Sequence, residues 1–201
     1  MIRLYDYLPS GNGYKVRLLL TQLGVPFERI ELDIVKGETR TPEFLAKFPN
    51  GRIPAIEFED GRLLFESNAI LWYFAEGTSF LPADRFARAG ALQWLFFEQY
   101  NHEPNIASRR FLVMHPQVQD ERRALMARML RLGHDALAVM ERHLTSRDWF
   151  QGGRYSIVDI ALYAYTHVAG EGGYDLLPYP AIRGWLGRVS TQPGHLPITQ
   201  G

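Results

Sequence analysis

Three short stretches of the chain carry residue types in an order that can do chemistry: Pro9-Ser10-Gly11-Asn12-Gly13-Tyr14-Lys15, Asn50-Gly51-Arg52-Ile53-Pro54-Ala55-Ile56 and Phe65-Glu66-Ser67-Asn68-Ala69-Ile70. Pro54 sits between a loop and a short apolar run, where a residue without an N–H cannot occupy a central ladder. X-Pro bonds are also the ones for which cis costs little. A cis bond there turns the Ile53 backbone outward, with its N–H and C=O open to an extended peptide. Glu66-Ser67 stands at the start of a helical pattern, where unpaired backbone donors and a positive dipole end favour a carboxylate. Ser10, Asn12 and the N–H groups of Gly11, Asn12 and Gly13 fall where a first strand turns into a first helix. The combined expectation is a site that holds a small acidic peptide. A plainer reading also fits the first stretch, in which Ser10 merely caps the helix and Asn12 takes a left-handed turn conformation.

The elements that must hold these residues follow from periodicity and punctuation. Ile2-Arg3-Leu4-Tyr5 alternates and starts a strand in which Tyr5 is expected to be buried. Val16, Leu18, Leu19, Leu20 and Leu23 give an apolar helical stretch closed by Gly24, with Pro26 beyond it. Phe27–Leu32 alternates again. Thr41-Pro42-Glu43 reads as N-cap, first-position proline and acidic first turn of a short helix through Lys47. Ala55–Glu59 and Arg62–Phe65 flank Asp60-Gly61, a hairpin signal, and a helix follows from Ser67 to Ala75. This βαβ–α–ββα order predicts a mixed four-stranded sheet with packed helices over residues 1–76.

Residues 77–84, with Gly, Thr, Ser and Pro, read as a linker. Beyond it the strand patterns stop, and 85–201 is expected to be all helical. Long helices are predicted over Arg85–Val113, bent or broken near Pro104, and over Asp120–Leu144. In the latter, Leu125, Met126, Met129, Leu130, Gly133, Leu137 and Met140 share one face. Ser156 and Asp159 form the two halves of a capping box for a further helix, with Tyr155 placed to pack on Ile160.

Composition removes several function classes. At 201 residues the chain accommodates one large domain or two small ones. Its 22 basic and 22 acidic side chains cancel, so electrostatics give no case for nucleic acid or an anionic membrane as main partner. No apolar run reaches membrane-spanning length and the N-terminus lacks a secretory apolar segment, so a cytoplasmic protein is expected. The absence of cysteine excludes disulfide scaffolds, zinc ribbons and protein-thiol nucleophiles. Any thiol chemistry must use a sulfur carried by a ligand. The six histidines show neither HxH nor HExxH spacing and no phosphate-binding glycine motif occurs, so neither a metal nor a nucleotide is expected.

The three stretches, together with Ser156-Ile157-Val158-Asp159, resemble the glutathione transferases in order and spacing over nearly the whole chain. The resemblance implies α/β plus all-α architecture: a thioredoxin-like domain over 1–76, a linker over 77–84 and a helical-bundle domain over 85–201, assembled as a homodimer. It implies glutathione as co-substrate, with Ser10 and Asn12 stabilising its thiolate. The Ser-x-Asn turn is most similar to bacterial and fungal members, and Tyr7 is a rival phenol. Lowering a thiol pKa by about two units needs roughly 2.7 kcal/mol of preferential stabilisation of the anion. Two or three aimed donors in a dry cleft at a helix N-terminus supply that. By the same resemblance Ser10, Asn12, Gly13, Ile53, Pro54, Glu66 and Ser67 contact glutathione, Ile53 through its backbone and Glu66-Ser67 at the γ-glutamyl end. Thr39, Arg40 and Arg52 are candidates for the glycine carboxylate. A second-substrate pocket is expected from Tyr7, Tyr100, Arg109 and Phe111, with Glu98 or Glu103 reaching across a dimer. The second substrate is then an electrophilic small molecule or a disulfide. The competing expectation is a non-catalytic protein-interaction module of the same fold, which the presence of both Ser10 and Glu66-Ser67 disfavours.

Overall fold

The computed structural model describes residues 1–118 and 120–201, which divide into two compact units: Met1–Glu76 with Pro193–Gly201, and Gly77–Gln192. The first unit runs β1 (Ile2–Asp6), α1 (Gly11–Leu23), β2 (Phe27–Glu31), α2 (Pro42–Lys47), β3 (Ala55–Glu57), β4 (Leu63–Phe65) and α3 (Ser67–Ala75). Its sheet has the order β2-β1-β3-β4, with β1 and β2 parallel across the α1 connection and the other pairs antiparallel. Strand alternation sorts the two faces. Leu4 and Ile56 are opposite one another and join Val16, Leu20 and Ile70 in one buried core. Tyr5 and Ala55, the next pair along, face Phe44 and Phe48.

Three details depart from expectation. Tyr5 is half-buried, because its hydroxyl donates to Glu57 Oε2 at 2.6 Å near the rim of the sheet. β1 continues to Asp6, a buried carboxylate that alternation alone does not mark. β3 and β4 are each three residues long, because the chain leaves the ladder early to turn over 58–62. There Phe58 N–H donates to the Arg62 carbonyl at 2.9 Å and Gly61 adopts φ 82°.

The second unit runs α4 (Arg85–Phe97), a π turn over Glu98–His102, α5 (Glu103–Met114), a 3-10 turn over Glu121–Leu125, α6 (Met126–Leu144), α7 (Ile157–Thr166) and α8 (Pro180–Ser190). The first long helix is therefore interrupted near Pro104, as expected, by a π turn that ends just ahead of it. Pro104 falls in the first turn of α5, directly after the π turn. The wider π turn buries Glu98 and His102, and His102 Nε2 lies 2.8 Å from Thr166 Oγ1. α6 starts at Met126 and not at Asp120, because the Asp120 carboxylate captures the Arg122 N–H at 2.8 Å and tightens the intervening turn. Leu125 is consequently 46% exposed and stands apart from the buried face of Met129, Gly133, Leu137 and Met140.

α7 is the centre of this unit, with all of its residues buried. Its capping box is formed: Ser156 Oγ accepts from Val158 N at 3.3 Å and Asp159 Oδ2 accepts from Ser156 N at 3.0 Å. Tyr155 packs edge-on against Phe80 and Trp149. Glu141 of α6 caps α8 by accepting from Ala181 N and Ile182 N, each at 2.9 Å. Among the described residues, no helix is long and apolar enough to cross a membrane.

Candidate active site

The site is built where α1 packs on α3 in the first unit. Ser10 is the N-cap of α1, with φ −73° and ψ 124°, and its Oγ accepts from Gly13 N at 3.3 Å. Capping consumes a lone pair and leaves the hydroxyl hydrogen as a donor at the positive end of the helix. Asn12 lies inside the first turn of α1 and not in a left-handed conformation, which overturns half of the plainer reading. Its Oδ1 accepts from Ser67 Oγ at 3.4 Å, and Ser67 Oγ accepts from Lys15 Nζ at 3.3 Å. This Lys15–Ser67–Asn12 relay fastens the first turn of α1 to the first turn of α3. Lys15 is fully buried and Ser67 is 5% exposed.

A second group of polar residues follows from the loop between α2 and β3. Glu66 has φ 70° and ψ 114°, and its Oε1 accepts from Asn50 Nδ2 at 3.1 Å. The Asn50 carbonyl in turn accepts from Arg40 Nη1 at 3.2 Å. Gly51 adopts φ 61°, and a Cβ there would stand 2.5 Å from Arg40 Nη1 and 3.0 Å from the Thr39 carbonyl. The chain must therefore be glycine where it passes Thr39 and Arg40. The Ile53–Pro54 bond is cis. Ala55 pairs with Tyr5 and Phe65, which sets Pro54 beside the strand ends that lead to Ser10 and to Glu66.

Behind the Ser10 turn lies a buried ion pair, with Asp6 Oδ2 3.3 Å from Arg17 Nε and both side chains fully buried. Burial pushes the Asp6 carboxyl above its ordinary range, against the opposing pull of Arg17 and the Tyr7 N–H. Burial likewise lowers Arg17, with Asp6 opposing.

Residues 1–76 match the model of the glutathione S-transferase N-terminal domain, and residues 102–193 match that of its C-terminal domain. The disulfide-bond oxidoreductase YfcG of Escherichia coli K12 is 34% identical over 211 residues, spanning 96% of this chain and 92% of the relative. The chain belongs to the glutathione S-transferase family. Among solved structures, a glutathione S-transferase from Pseudomonas fluorescens Pf-5 is 49% identical with a TM-score of 0.95, covering 99% of each chain. The glutathione transferase URE2P6 from Phanerochaete chrysosporium, in complex with oxidised glutathione, is 25% identical with a TM-score of 0.85, covering 96% of this chain and 92% of that one.

Within this glutathione S-transferase fold the structure brings Ser10, Asn12, Gly13 and Ser67 together, and gathers Thr39, Arg40 and Glu66 around Asn50 and Gly51. Thr39 is buried, whereas Arg40 and Arg52 are exposed. Tyr7 is half-buried, and its backbone N–H donates to Asp6 Oδ1 at 2.7 Å. In the helical unit, Tyr100 borders a groove of about 550 Å³ with Phe97, Asn101, Asn105 and Leu132. Arg109 and Phe111 do not line that groove. Arg109 holds the carbonyls of Gly172 at 2.7 Å and Met126 at 2.9 Å, and Phe111 packs on His115. No cluster of three or more potential metal ligands occurs among the described residues.

Lys15 is the residue of the candidate site that sequence reasoning missed, through its bond to Ser67. A lysine in an apolar helical stretch ordinarily marks a solvated face, and only its three-residue spacing from Asn12 sets the two on one side of the helix. Glu66 carries a further consequence. Among the described residues it is the one non-glycine with positive φ, a conformation that costs about 1–3 kcal/mol. Glu66→Gly is expected to leave the thermal midpoint unchanged or raise it by a few degrees. A clear fall in the midpoint would show that the Asn50 contact outweighs the strain.

Proposed function

We propose that this chain is a cytoplasmic glutathione transferase-type enzyme that activates the glutathione thiol for attack on small electrophiles or disulfides. The observation that carries this reading is the Ser10 hydroxyl at the α1 N-terminus, one turn from the buried Lys15–Ser67–Asn12 relay. A thiol placed there loses its proton to solvent, and the hydroxyl, the Asn12 side chain and the first N–H groups of α1 favour the anion. In conjugation the thiolate forms a carbon–sulfur bond while the leaving group departs with its electron pair. In disulfide exchange it forms a new S–S bond and expels the other sulfur as thiolate. The resemblance to a disulfide-bond oxidoreductase supports including the second reaction.

Glutathione is taken as bound by Ser10, Asn12, Gly13, Ile53, Pro54, Glu66 and Ser67, with Thr39, Arg40 and Arg52 toward its glycine carboxylate. The chain is taken as a member of the bacterial and fungal type, a reading that its Ser-x-Asn turn supports. Tyr7 and Tyr100 remain proposed surroundings of the second substrate, whereas Arg109 and Phe111 lie outside the groove that Tyr100 borders. The enzyme is taken as a homodimer, a state favoured by the exposed Phe65 and Tyr73 of the first unit and Phe86 and Phe96 of the second. Glu98 is fully buried, so Glu103 is the better candidate to reach across such a dimer.

Ser10→Ala tests the reading. It is expected to raise the pKa of bound glutathione by one to two units, which is about 10- to 100-fold less thiolate at neutral pH. Glutathione affinity by calorimetry should change by less than about threefold, because one hydroxyl contributes mainly to the anion. Thiolate absorbance against pH is the readout. Absent or millimolar binding by the unaltered chain would sink the enzyme reading and favour the protein-interaction module.

A further inference from the structure

The last nine residues do not continue the helical unit. They pack with the first unit, along α1. Gln22 Nε2 donates to the Pro193 carbonyl at 3.2 Å, and the buried Tyr14 hydroxyl donates to the Leu196 carbonyl at 2.8 Å. Arg17 then takes two further carbonyls: Nη2 donates to Ile198 O at 3.1 Å and Nη1 to Gln200 O at 3.2 Å. The segment is thus gripped mainly by its backbone, from the C-terminal end of α1 toward its start.

Arg17 also grips the opposite side. Its Nη2 donates to the Leu8 carbonyl at 2.9 Å, within the turn that Ser10 N closes on the Tyr7 carbonyl at 2.7 Å. Glu31 accepts from the Leu8 N–H at 3.2 Å, so the peptide groups on both sides of Leu8 are held. A guanidinium presents its donors in one rigid plane, so the two tail carbonyls and Asp6 fix the direction in which Arg17 meets Leu8. Full burial removes water as a substitute partner.

We infer that Pro193–Gly201, acting through Arg17, is a positioning strap that sets the turn carrying Ser10 and thereby the strength of its thiolate stabilisation. This rests on the role of Ser10 proposed above. Arg17 is a positioning residue, since it meets the turn's backbone and not the sulfur. Misplacing a donor by a fraction of an ångström weakens its preference for the anion far more than it weakens binding of the rest of a tripeptide.

Three variants of the full chain test this: truncation after Pro197, Arg17→Lys and Tyr14→Phe. Truncation removes the carbonyls that orient Arg17, and lysine keeps the charge but not the fork. Both are expected to raise the pKa of bound glutathione by about one unit, a tenfold loss of thiolate at neutral pH, with its dissociation constant changed less than about threefold. Tyr14→Phe removes one hydroxyl and little volume, so it remains folded even where truncation does not. It should give a smaller rise, together with faster amide exchange over Leu8–Gly13. A merely structural role would lower melting temperatures and leave the thiol pKa of the folded protein unchanged. If the unaltered chain shows a depressed thiol pKa that Ser10→Ala abolishes while the folded strap variants keep it, the strap is overturned and the site reading stands. If the unaltered chain shows no depressed thiol pKa, both fall.

Discussion

Asp159→Ala is expected to destabilise the helical unit by about 3–5 kcal/mol at neutral pH and to lower its melting temperature by roughly 10 °C. The carboxylate is fully buried at the first turn of α7 and accepts from four donors. Oδ1 takes the Phe150 N–H at 3.2 Å and the Trp185 Nε1–H at 3.0 Å, while Oδ2 takes the Ser156 N–H and hydroxyl, each at 3.0 Å. Alanine leaves all of these groups buried without an acceptor and opens a cavity beneath Trp185. Each orphaned donor costs about 1–3 kcal/mol, and the costs are shared because one collapse can relieve several.

The same carboxyl makes a pH signature. Burial pushes it up to about 6, even though every hydrogen bond opposes the shift. A raised acid binds its proton more tightly in the folded state than in the unfolded one. Its contribution to stability is therefore full below about pH 4, declines as pH rises from about 4 to about 6, and is flat above, by about 3 kcal/mol in all. Asp159→Asn removes that slope. The stability difference between the native chain and Asp159→Asn should be larger at pH 4 than at pH 7, as read from urea midpoints. An equal difference at both would show that the carboxyl titrates alike in the folded and unfolded chain.

Local chemistry made much of this fold readable. Thr41 caps α2 ahead of Pro42, Gly24 closes α1 at φ 66°, and Asp60-Gly61 turns the hairpin, because each effect is decided within a few residues. The capping box of α7 was readable for the same reason. What escaped was long-range. Pro104 marked a break near this point, but no residue type announces its form, a π turn at Glu98–His102 in which buried His102 meets Thr166 sixty-four positions away. Periodicity treats Lys15 and Arg17 as solvated charges, and their burial becomes sensible only once Ser67 and the C-terminal carbonyls are in place. The Pro193–Gly201 tail has no periodic pattern, since its own backbone is the part that is bound. The local conformation of the candidate site was legible at Ser10, which caps α1, and at Ser67, which opens α3. Their supporting shell was not, because support comes from elements remote in sequence.

Gly13→Ala is the most disruptive single methyl group expected in the first unit. In an open helical position glycine to alanine stabilises by about 0.5–1 kcal/mol, and Gly187 in α8, where an added Cβ would have no neighbour within 4 Å, should show that gain. At Gly13 the added Cβ would fall 1.6 Å from Asp6 Oδ1 and 2.5 Å from its Cγ. Asp6 has little room to yield. Its Oδ1 accepts from Tyr7 N at 2.7 Å and its Oδ2 faces Arg17, so rotation would draw the carboxylate away from a buried guanidinium charge. A loss of about 3 kcal/mol or more is expected by chemical denaturation, together with a raised thiol pKa of bound glutathione, because the same movement displaces the Ser10 turn. A double-mutant cycle isolates the cause. Asp6→Ala alone should cost about 3–5 kcal/mol through the stranded Arg17, but adding Gly13→Ala to it should cost almost nothing further. Additive losses would mean that the methyl group collides with something other than Asp6. The expected non-additivity would show that the carboxylate behind the turn and the glycine within it form one packed unit.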